Sequence, residues 1–413
     1  MMRKTIVALM CLLALLSAAA LAEDLEDSME IPLPANYEEY LFDLSGAAPE
    51  GEHHIVDGLV QTNSRPASDA NTIVISMVGD CTVGEQYKYR GYKTNYTYNI
   101  NLLGLDYPFR HVAALFEKDD LTIANCEGAF TNRRLPSGAK EMSLCADPSF
   151  AQVLAYGNVD VCNLSNNHAG DFGEGGKNDT IEALRAVGID YFDETTTYVT
   201  EIKGVKIGIA STCFPLSDVR VQRLIDKLNR LKQEEGVTFT IASIHWGQED
   251  SRKINAQQKT YGHRFIDQGV DMVYGHGSHT LQPVQYYKGH MILYSTSNFT
   301  FGANRNPKDP DTAVFQVTFR INRDNTLTAA ALNCLPFKMY GTGAPNFETG
   351  KPTGKRDFSP VPIEDEAERL KVLAKLVFTA KNDPDTNLPE SFKTTGYADL
   401  LAWQAELDAA GRQ

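Results

Sequence analysis

The chain reads as an α/β protein, and two observations carry that reading. From Asn71 onward, short β-rich runs alternate with helical patterns, as they do where strands and helices share one domain. Five of those β-rich runs end directly in groups of Asp, Glu, Asn and His, the position at which α/β sheets bind their ligands.

The elements follow in order. Thr72 to Val78 is the first strand. A helix is suggested by Pro108, Phe109, Val112, Ala113 and Phe116, and Leu121 to Asn125 is the next strand. Asp147-Pro148 is a cap followed by proline at the first helical position, and Gly157 closes that helix. Val159 to Leu164 is a strand; Ile181, Leu184 and Val187 mark a helix stopped by Gly188; Val205 to Ala210 returns to strand. Val221, Leu224, Ile225, Leu228 and Leu231 form one apolar helical stripe. Thr238 to Ile244 is a strand, Ala256 to Gln268 a helix ended by Gly269, and Val270 to Tyr274 and Met291 to Tyr294 are strands. Ala313 to Ile321 and Leu327 to Asn333 form an antiparallel pair turning at Arg323-Asp324-Asn325. Two helices, around Ala367 to Phe378 and near Tyr397 to Leu407, finish the chain.

The flanks read differently. Residues 1–22 hold Arg3-Lys4, an apolar run from Ile6 to Leu16 and an Ala-x-Ala ending, the plan of a secretory signal peptide, so the expected location is extracytoplasmic. An uncleaved membrane anchor is the other reading. Residues 23–70 are acidic, then rich in Pro, Gly, Ser and Asn, an irregular arm. The domain proper is expected over 71–340 and a helical extension over 341–413.

Charge narrows the partners. The net charge is −14, and losing Arg3 and Lys4 with the first 22 residues, which hold no acid, makes it −16. Nucleic acid and anionic membranes need clustered Lys and Arg, so no nucleic-acid partner is expected. A polyanionic substrate would need a local basic patch or bound metal. Six cysteines remain after Ala22, with no C-x-x-C pair and irregular spacing. That leaves disulfides and buried free thiols both open. No G-x-S-x-G elbow occurs, which argues against a serine hydrolase.

The strand ends supply the chemistry. They run into Gly79-Asp80, Asn125-Cys126-Glu127, Ser165-Asn166-Asn167-His168, His245-Trp246-Gly247 and Gly275-His276-Gly277-Ser278-His279. Singly, each has a plain explanation: Asp80 could cap a helix, Glu127 could be an ordinary loop acid, and the asparagines could make a turn. His245 could be a satisfied core histidine, whereas the glycine-flanked His276-x-x-His279 is poor core material. Together, two carboxylates, an amide and several imidazoles match a mixed oxygen and nitrogen site for divalent transition metals, two ions fitting the count better than one. Mn, Fe and Zn are not distinguished. The tyrosine-rich stretch from Tyr87 to Tyr98 reads as an exposed loop or ribbon, with a wall of the cleft as the alternative.

In these motifs the chain resembles the bacterial capsule-synthesis proteins of the CapA or PgsA type, relatives of calcineurin-like metallophosphoesterases. Gly79-Asp80, Asn125-Cys126-Glu127-Gly128, Asn166 through Gly173, His245 through Glu249, Gly275 through Pro283 and Tyr294 through Phe299 carry the resemblance in the family's order. It implies a four-layer α-β-β-α sandwich with two mixed sheets. It also implies that Asp80 and His279 bind one metal and that Asn167, His245 and His276 bind a second, with Glu127 bridging. His168 would be the catalytic histidine that binds no metal. Asp171 and Glu249 would orient histidines, with Asn125, Asn166 and Asn298 among the polar groups around the ligands. Thr82 stands where metallophosphoesterases usually carry a histidine, so the first metal lacks a ligand.

Two functions from different classes follow. One is a metal-dependent hydrolase acting on a phosphoester or a peptide-like bond of a capsule, poly-γ-glutamate or other cell-envelope polymer. The other is a non-catalytic accessory that binds polymer or the membrane subunits of a capsule synthase.

Overall fold

The computed structural model describes residues 53–56, 59–62, 72–92, 95–304, 307–342, 344–345 and 352–376. The chain divides into two units, residues 1–37 and 38–413, and all described residues fall in the second. The segment read as a signal peptide and the helix expected near Tyr397 therefore lie outside the described residues.

Two sheets make the frame. Their strands in chain order are β1 (Thr72–Thr82), β2 (Leu121–Cys126), β3 (Val161–Asn163), β4 (Asp190–Phe192), β5 (Tyr198–Ile202), β6 (Val205–Cys213) and β7 (Phe239–His245). They continue as β8 (Met272–His276), β9 (Val284–Tyr287), β10 (His290–Leu293), β11 (Asn298–Phe301), β12 (Asp311–Ile321), β13 (Leu327–Lys338) and β14 (Val361–Pro362). One sheet has the order β14-β13-β12-β1-β2-β3-β4, with β11 paired to β1; the other has the order β5-β6-β7-β8-β10-β9. Both mix parallel and antiparallel pairs.

The sheets face each other. Ile73, Ile75, Met77, Leu121, Ile123 and Val161 of the first join Ile207, Ile209, Ile241 and Met272 of the second in one buried core. Phe239 meets Phe319 across the gap at 4.8 Å between ring centroids. Helices cover the outside. The Asp218–Glu235 helix is capped by Ser217, ends at left-handed Gly236 and lays Val221, Leu224, Ile225, Leu228 and Leu231 on β6 and β7. The Ala256–Asp267 helix opens with a capping box between Asn255 and Gln258 and packs on β8. The Gly173–Ala186 helix packs on β4 and the Glu366–Leu373 helix on β13. This is the four-layer α-β-β-α sandwich.

Strand alternation then places the polar groups. Ile123 and Asn125, Val161 and Asn163, Ile241 with Ser243 and His245, and Met272 with Tyr274 and His276 each occupy alternate positions of one strand. Each site residue therefore extends the column of core residues between the sheets. β1 would break this rule, because Met77 and Asp80 are an odd number of residues apart. A register shift corrects it: Met77 pairs with Ile123 but Asp80 with Asn125, three residues against two. This bulge turns Asp80 to the same face as Met77. It needs Gly79, where a Cβ would lie 2.0 Å from the Ser297 carbonyl oxygen. The Tyr274 hydroxyl donates to the freed Val78 carbonyl from the opposite sheet.

Several elements differ from the sequence reading. The arm contains a hairpin, His53–Val56 with Leu59–Thr62, where irregular chain was expected. The helix expected from Pro108 to Phe116 is a 3-10 turn over Tyr107–Phe109 and a short helix over Ala113–Phe116. The segment read as a helical extension opens with strands, and β14 extends the first sheet beside β13 before the Glu366–Leu373 helix begins. β4, β5 and β9 give no strand signal in the sequence because half-exposed or polar side chains interrupt their apolar pattern. In the tyrosine-rich stretch Tyr89 and Tyr92 are exposed, but Tyr96 is buried in a helix over Tyr96–Leu103. The six cysteines among the described residues are free thiols, five of them buried.

Candidate metal centre

The strand ends meet in one buried cluster. Asp80 leaves the bulge of β1, Glu127 follows β2, and His245 and His276 end β7 and β8 side by side in register. His279 sits in the loop after β8 with a φ of 58°, a left-handed conformation that is costly for a residue with a Cβ and is found most often where function requires it. Gly277, at φ 98°, brings the loop past the His245 ring; a Cβ there would lie 2.9 Å from that ring.

Two donor groups share one carboxylate. Ligand atoms of Asp80, His245 and His276 all lie within 4.8 Å of one another, and so do those of Asp80, Glu127 and His279. Asp80 Oδ1 is 3.5 Å from His276 Nδ1, and its Oδ2 is 3.2 Å from His279 Nδ1. Glu127 Oε1 is 3.8 Å from His245 Nε2, and its Oε2 is 3.9 Å from His279 Nδ1. The resemblance gave the bridging role to Glu127; in this geometry Asp80 belongs to both groups, while Glu127 also reaches His245.

Burial sets the charge states. It pushes the His245 and His276 imidazoles down, the first well below its ordinary range and the second to about 3, so both are neutral donors. Burial lifts Glu127 to about 7, with the Asp80 charge adding to the rise and His279 opposing it. His279 goes the other way: burial works against its cation, but the Glu127 charge and the Asp80 hydrogen bond raise it to about 10. Burial would also raise Asp80, yet His279 and His245 hold it below the ordinary carboxylate range.

A divalent cation fits these residues. Both Glu127 oxygens, His245 Nε2 and Asn167 Oδ1 are buried without a hydrogen-bond partner. A buried acceptor left unpaired costs about 1–3 kcal/mol, and the unpaired Glu127 carboxylate and His245 Nε2, gathered with Asp80, His276 and His279, match a metal's donor set. The His279 imidazole lies within 4 Å of both carboxylates, and the Asn125 amide and the Gly277 N–H donate to Asp80.

Around the donors runs an amide network. Asn125 Nδ2 donates to Asp80 Oδ1 at 2.7 Å, while its Oδ1 accepts from Asn163 at 2.8 Å and Asn166 at 3.1 Å. Asn163 Nδ2 and Ser243 Oγ lie 3.2 and 3.1 Å from His276 Nε2. Asn298 Oδ1 lies 2.7 Å from His279 Nδ1. His168 stands at the rim, its Nε2 4.0 Å from Glu127 Oε1 and its Nδ1 2.7 Å from Asp171 Oδ2. Asp171 thus orients a histidine.

A model of the bacterial capsule synthesis protein PGA_cap family matches residues 74–303, more than half of the chain and all of the cluster. The chain belongs to this family. This PGA_cap member is 26% identical over 286 residues to the capsule biosynthesis protein CapA of Bacillus anthracis, covering 63% of this chain and 67% of that one. It is 26% identical over 294 residues to the PGA biosynthesis protein CapA of Bacillus subtilis, with 66% and 71% covered. A hypothetical protein from Thermus thermophilus superposes with a TM-score of 0.40 at 14% identity, over 64% of this chain and 99% of that one.

Within this PGA_cap site, one expected residue stands apart. Glu249 is exposed after the His245 turn and makes no hydrogen bond to a histidine among the described residues. The orienting role expected of it falls to Asn298, Asp171, Asn163 and Ser243. The left-handed turn at Gly247 carries the chain outward before Glu249. Thr82, in the place of the missing histidine, is buried with its Oγ1 unpaired. Asn163 and Ser243 escape sequence reasoning; the available signal is a polar residue inside an otherwise apolar strand.

Proposed function

We propose that this capsule-synthesis family member is an extracytoplasmic, metal-dependent hydrolase that cuts a phosphoester or peptide-like bond in a cell-envelope polymer. The carrying observation is the buried gathering of Asp80, Glu127, His245, His276 and His279, in which both Glu127 oxygens and His245 Nε2 have no hydrogen-bond partner. The basic, then apolar, then Ala-x-Ala start of the chain supports an extracytoplasmic location.

Asp80, His245, His276 and Asn167 would hold one ion, and Asp80, Glu127 and His279 a second. Bound there, divalent ions supply Lewis-acid polarisation of an oxygen on the scissile bond. The two carboxylates offset the added charge, and neutral His245 and His276 donate without first losing a proton. Asp171 accepts from His168 Nδ1 and leaves Nε2 facing the cluster, and in the imidazolium form His168 would give its Nε2 proton to the leaving group and keep its Nδ1 proton on Asp171. The Phe214 ring, 40% exposed, stacks on His245 at 6.0 Å and forms the lip over which substrate enters.

Thr82 favours a second reading, a polymer-binding accessory in which the Asp80, Glu127 and His279 group stays empty. Elemental analysis of the purified full chain, with a panel of phosphodiester and γ-glutamyl substrates, separates the two. At least one bound ion per chain and turnover, both lost in His276→Ala, are expected. A metal-free chain that retains polymer binding, or unchanged turnover in His276→Ala, would overturn the hydrolase.

A further inference from the structure

Beside the metal centre lies a basic cavity of about 40 Å³ lined by Arg220, Arg223, Lys227, Glu194, Ser211 and Thr212. That is more room than the roughly 10–15 Å³ one water needs. Three cations against one carboxylate make its lining +2, in a chain of net charge −14. The cavity adjoins the site through covalent and hydrogen-bonded neighbours. Ser211 Oγ lies 2.7 Å from the Oγ of Ser165, which leads into Asn166, Asn167 and His168. Cys213 pairs in register with His245 across strands about 4.8 Å apart, and Phe214 stacks on that histidine.

The lining already shows how it holds a carboxylate. Glu194 Oε1 accepts from Thr212 Oγ1 at 2.9 Å and from the Cys213 amide at 3.2 Å, and it pairs with Arg220. Lys227 Nζ donates to the Glu194 carbonyl at 2.6 Å, and Arg220 Nη1 to the Pro215 carbonyl at 2.7 Å. These bonds fix the cavity's shape and use part of its donor capacity. Arg223 differs. It is exposed and has no hydrogen-bond or ion-pair partner among the described residues. A guanidinium placed there can take a carboxylate on both nitrogens.

We propose that this cavity is a subsite for a carboxylate of a polycarboxylate chain whose neighbouring unit lies at the metal centre, with Arg223 as its principal donor and Lys227 beside it. The assignment rests on the reading of the metal centre as the reacting site. It supplies the local positive patch that a polyanion needs on an acidic protein.

The test uses the full chain and two fluorescent probes, a γ-linked oligoglutamate and a glycerol-phosphate oligomer, with affinity read by anisotropy at low and physiological salt. Arg223→Gln and Lys227→Gln are compared with a double variant, Lys118→Gln with Arg323→Gln, that removes exposed charge elsewhere; metal content is measured in parallel. Arg223→Gln should weaken oligoglutamate binding about tenfold, the effect of one lost charge-assisted hydrogen bond, and the double variant should not. The subsite is overturned by equal affinity in Arg223→Gln and wild type, by an equal loss in the double variant, or by a wild type that takes only the phosphate oligomer or neither probe. Arg223-dependent binding by a chain that holds no metal keeps the subsite and removes only the hydrolase. Full metal with Arg223-independent binding removes only the subsite.

Discussion

His168 Nδ1 lies 2.7 Å from Asp171 Oδ2, and that carboxylate oxygen also accepts from the Leu144 amide at 2.8 Å. The histidine at the rim is therefore held by a group that is itself held by backbone. The position of the proton on that ring is decided outside the set of candidate metal donors.

Asp171→Asn keeps the shape but removes the charge that favours a proton on His168 Nδ1. Turnover should fall about 10–100-fold, with metal content unchanged. Nitrogen NMR of the ring should show the Nδ1-protonated tautomer losing population. An unaltered ring spectrum would remove Asp171 from the mechanism.

Metal removal should cost stability. A ligand present at 100 times its Kd stabilises a fold by about 2.7 kcal/mol, so a chelator should lower the melting temperature and Mn(II) or Zn(II) should restore it. Glu127→Gln keeps one acceptor oxygen but loses the charge, and should lose most of that increment. Calorimetry with and without chelator measures both.

Gly277→Ala tests the close approach of loop to ring. The φ of 98° and the 2.9 Å clash with His245 act together. A loss of about 1–3 kcal/mol is expected, with weaker metal binding because His245 must move. Denaturant unfolding and metal titration of the same variant report the two effects, and a neutral result in both would mean the loop rearranges freely.

Asp193 gives a pH signature away from the candidate metal centre. Burial opposes its charge, but the Lys177 ammonium at 2.7 Å and hydrogen bonds from Thr195 and Thr196 hold its pKa at about 2, below the ordinary 3.8. A depressed carboxylate stabilises the fold fully above its unfolded pKa, and that contribution is lost as pH falls through the folded value. Asp193→Asn should therefore cost about 2 kcal/mol at neutral pH. The gap to wild type should close between roughly pH 4 and pH 2. A constant gap across that range would show that the charge is not what stabilises it.

The sequence alone determined which side chains could come together. Strand periodicity and glycine punctuation mark β1, β2, β7 and β8, and the polar groups directly after them are Asp80, Glu127, His245 and the His276 loop. Those signals are local and can be read without knowing the fold. Glu249 misled because sequence proximity to His245 says nothing of where a left-handed Gly247 sends the chain. Asn163 and Ser243 were hidden because a polar residue in an apolar strand has no meaning until its partner, His276, is known. The tertiary structure alone decided that a one-residue bulge at Gly79 turns Asp80 inward, that Asp80 is shared by both donor groups, and that Arg223 lines a cavity with Ser211, which bonds to Ser165. Each depends on register and on sheet-to-sheet packing, which set neighbours between residues as much as two hundred positions apart in the chain.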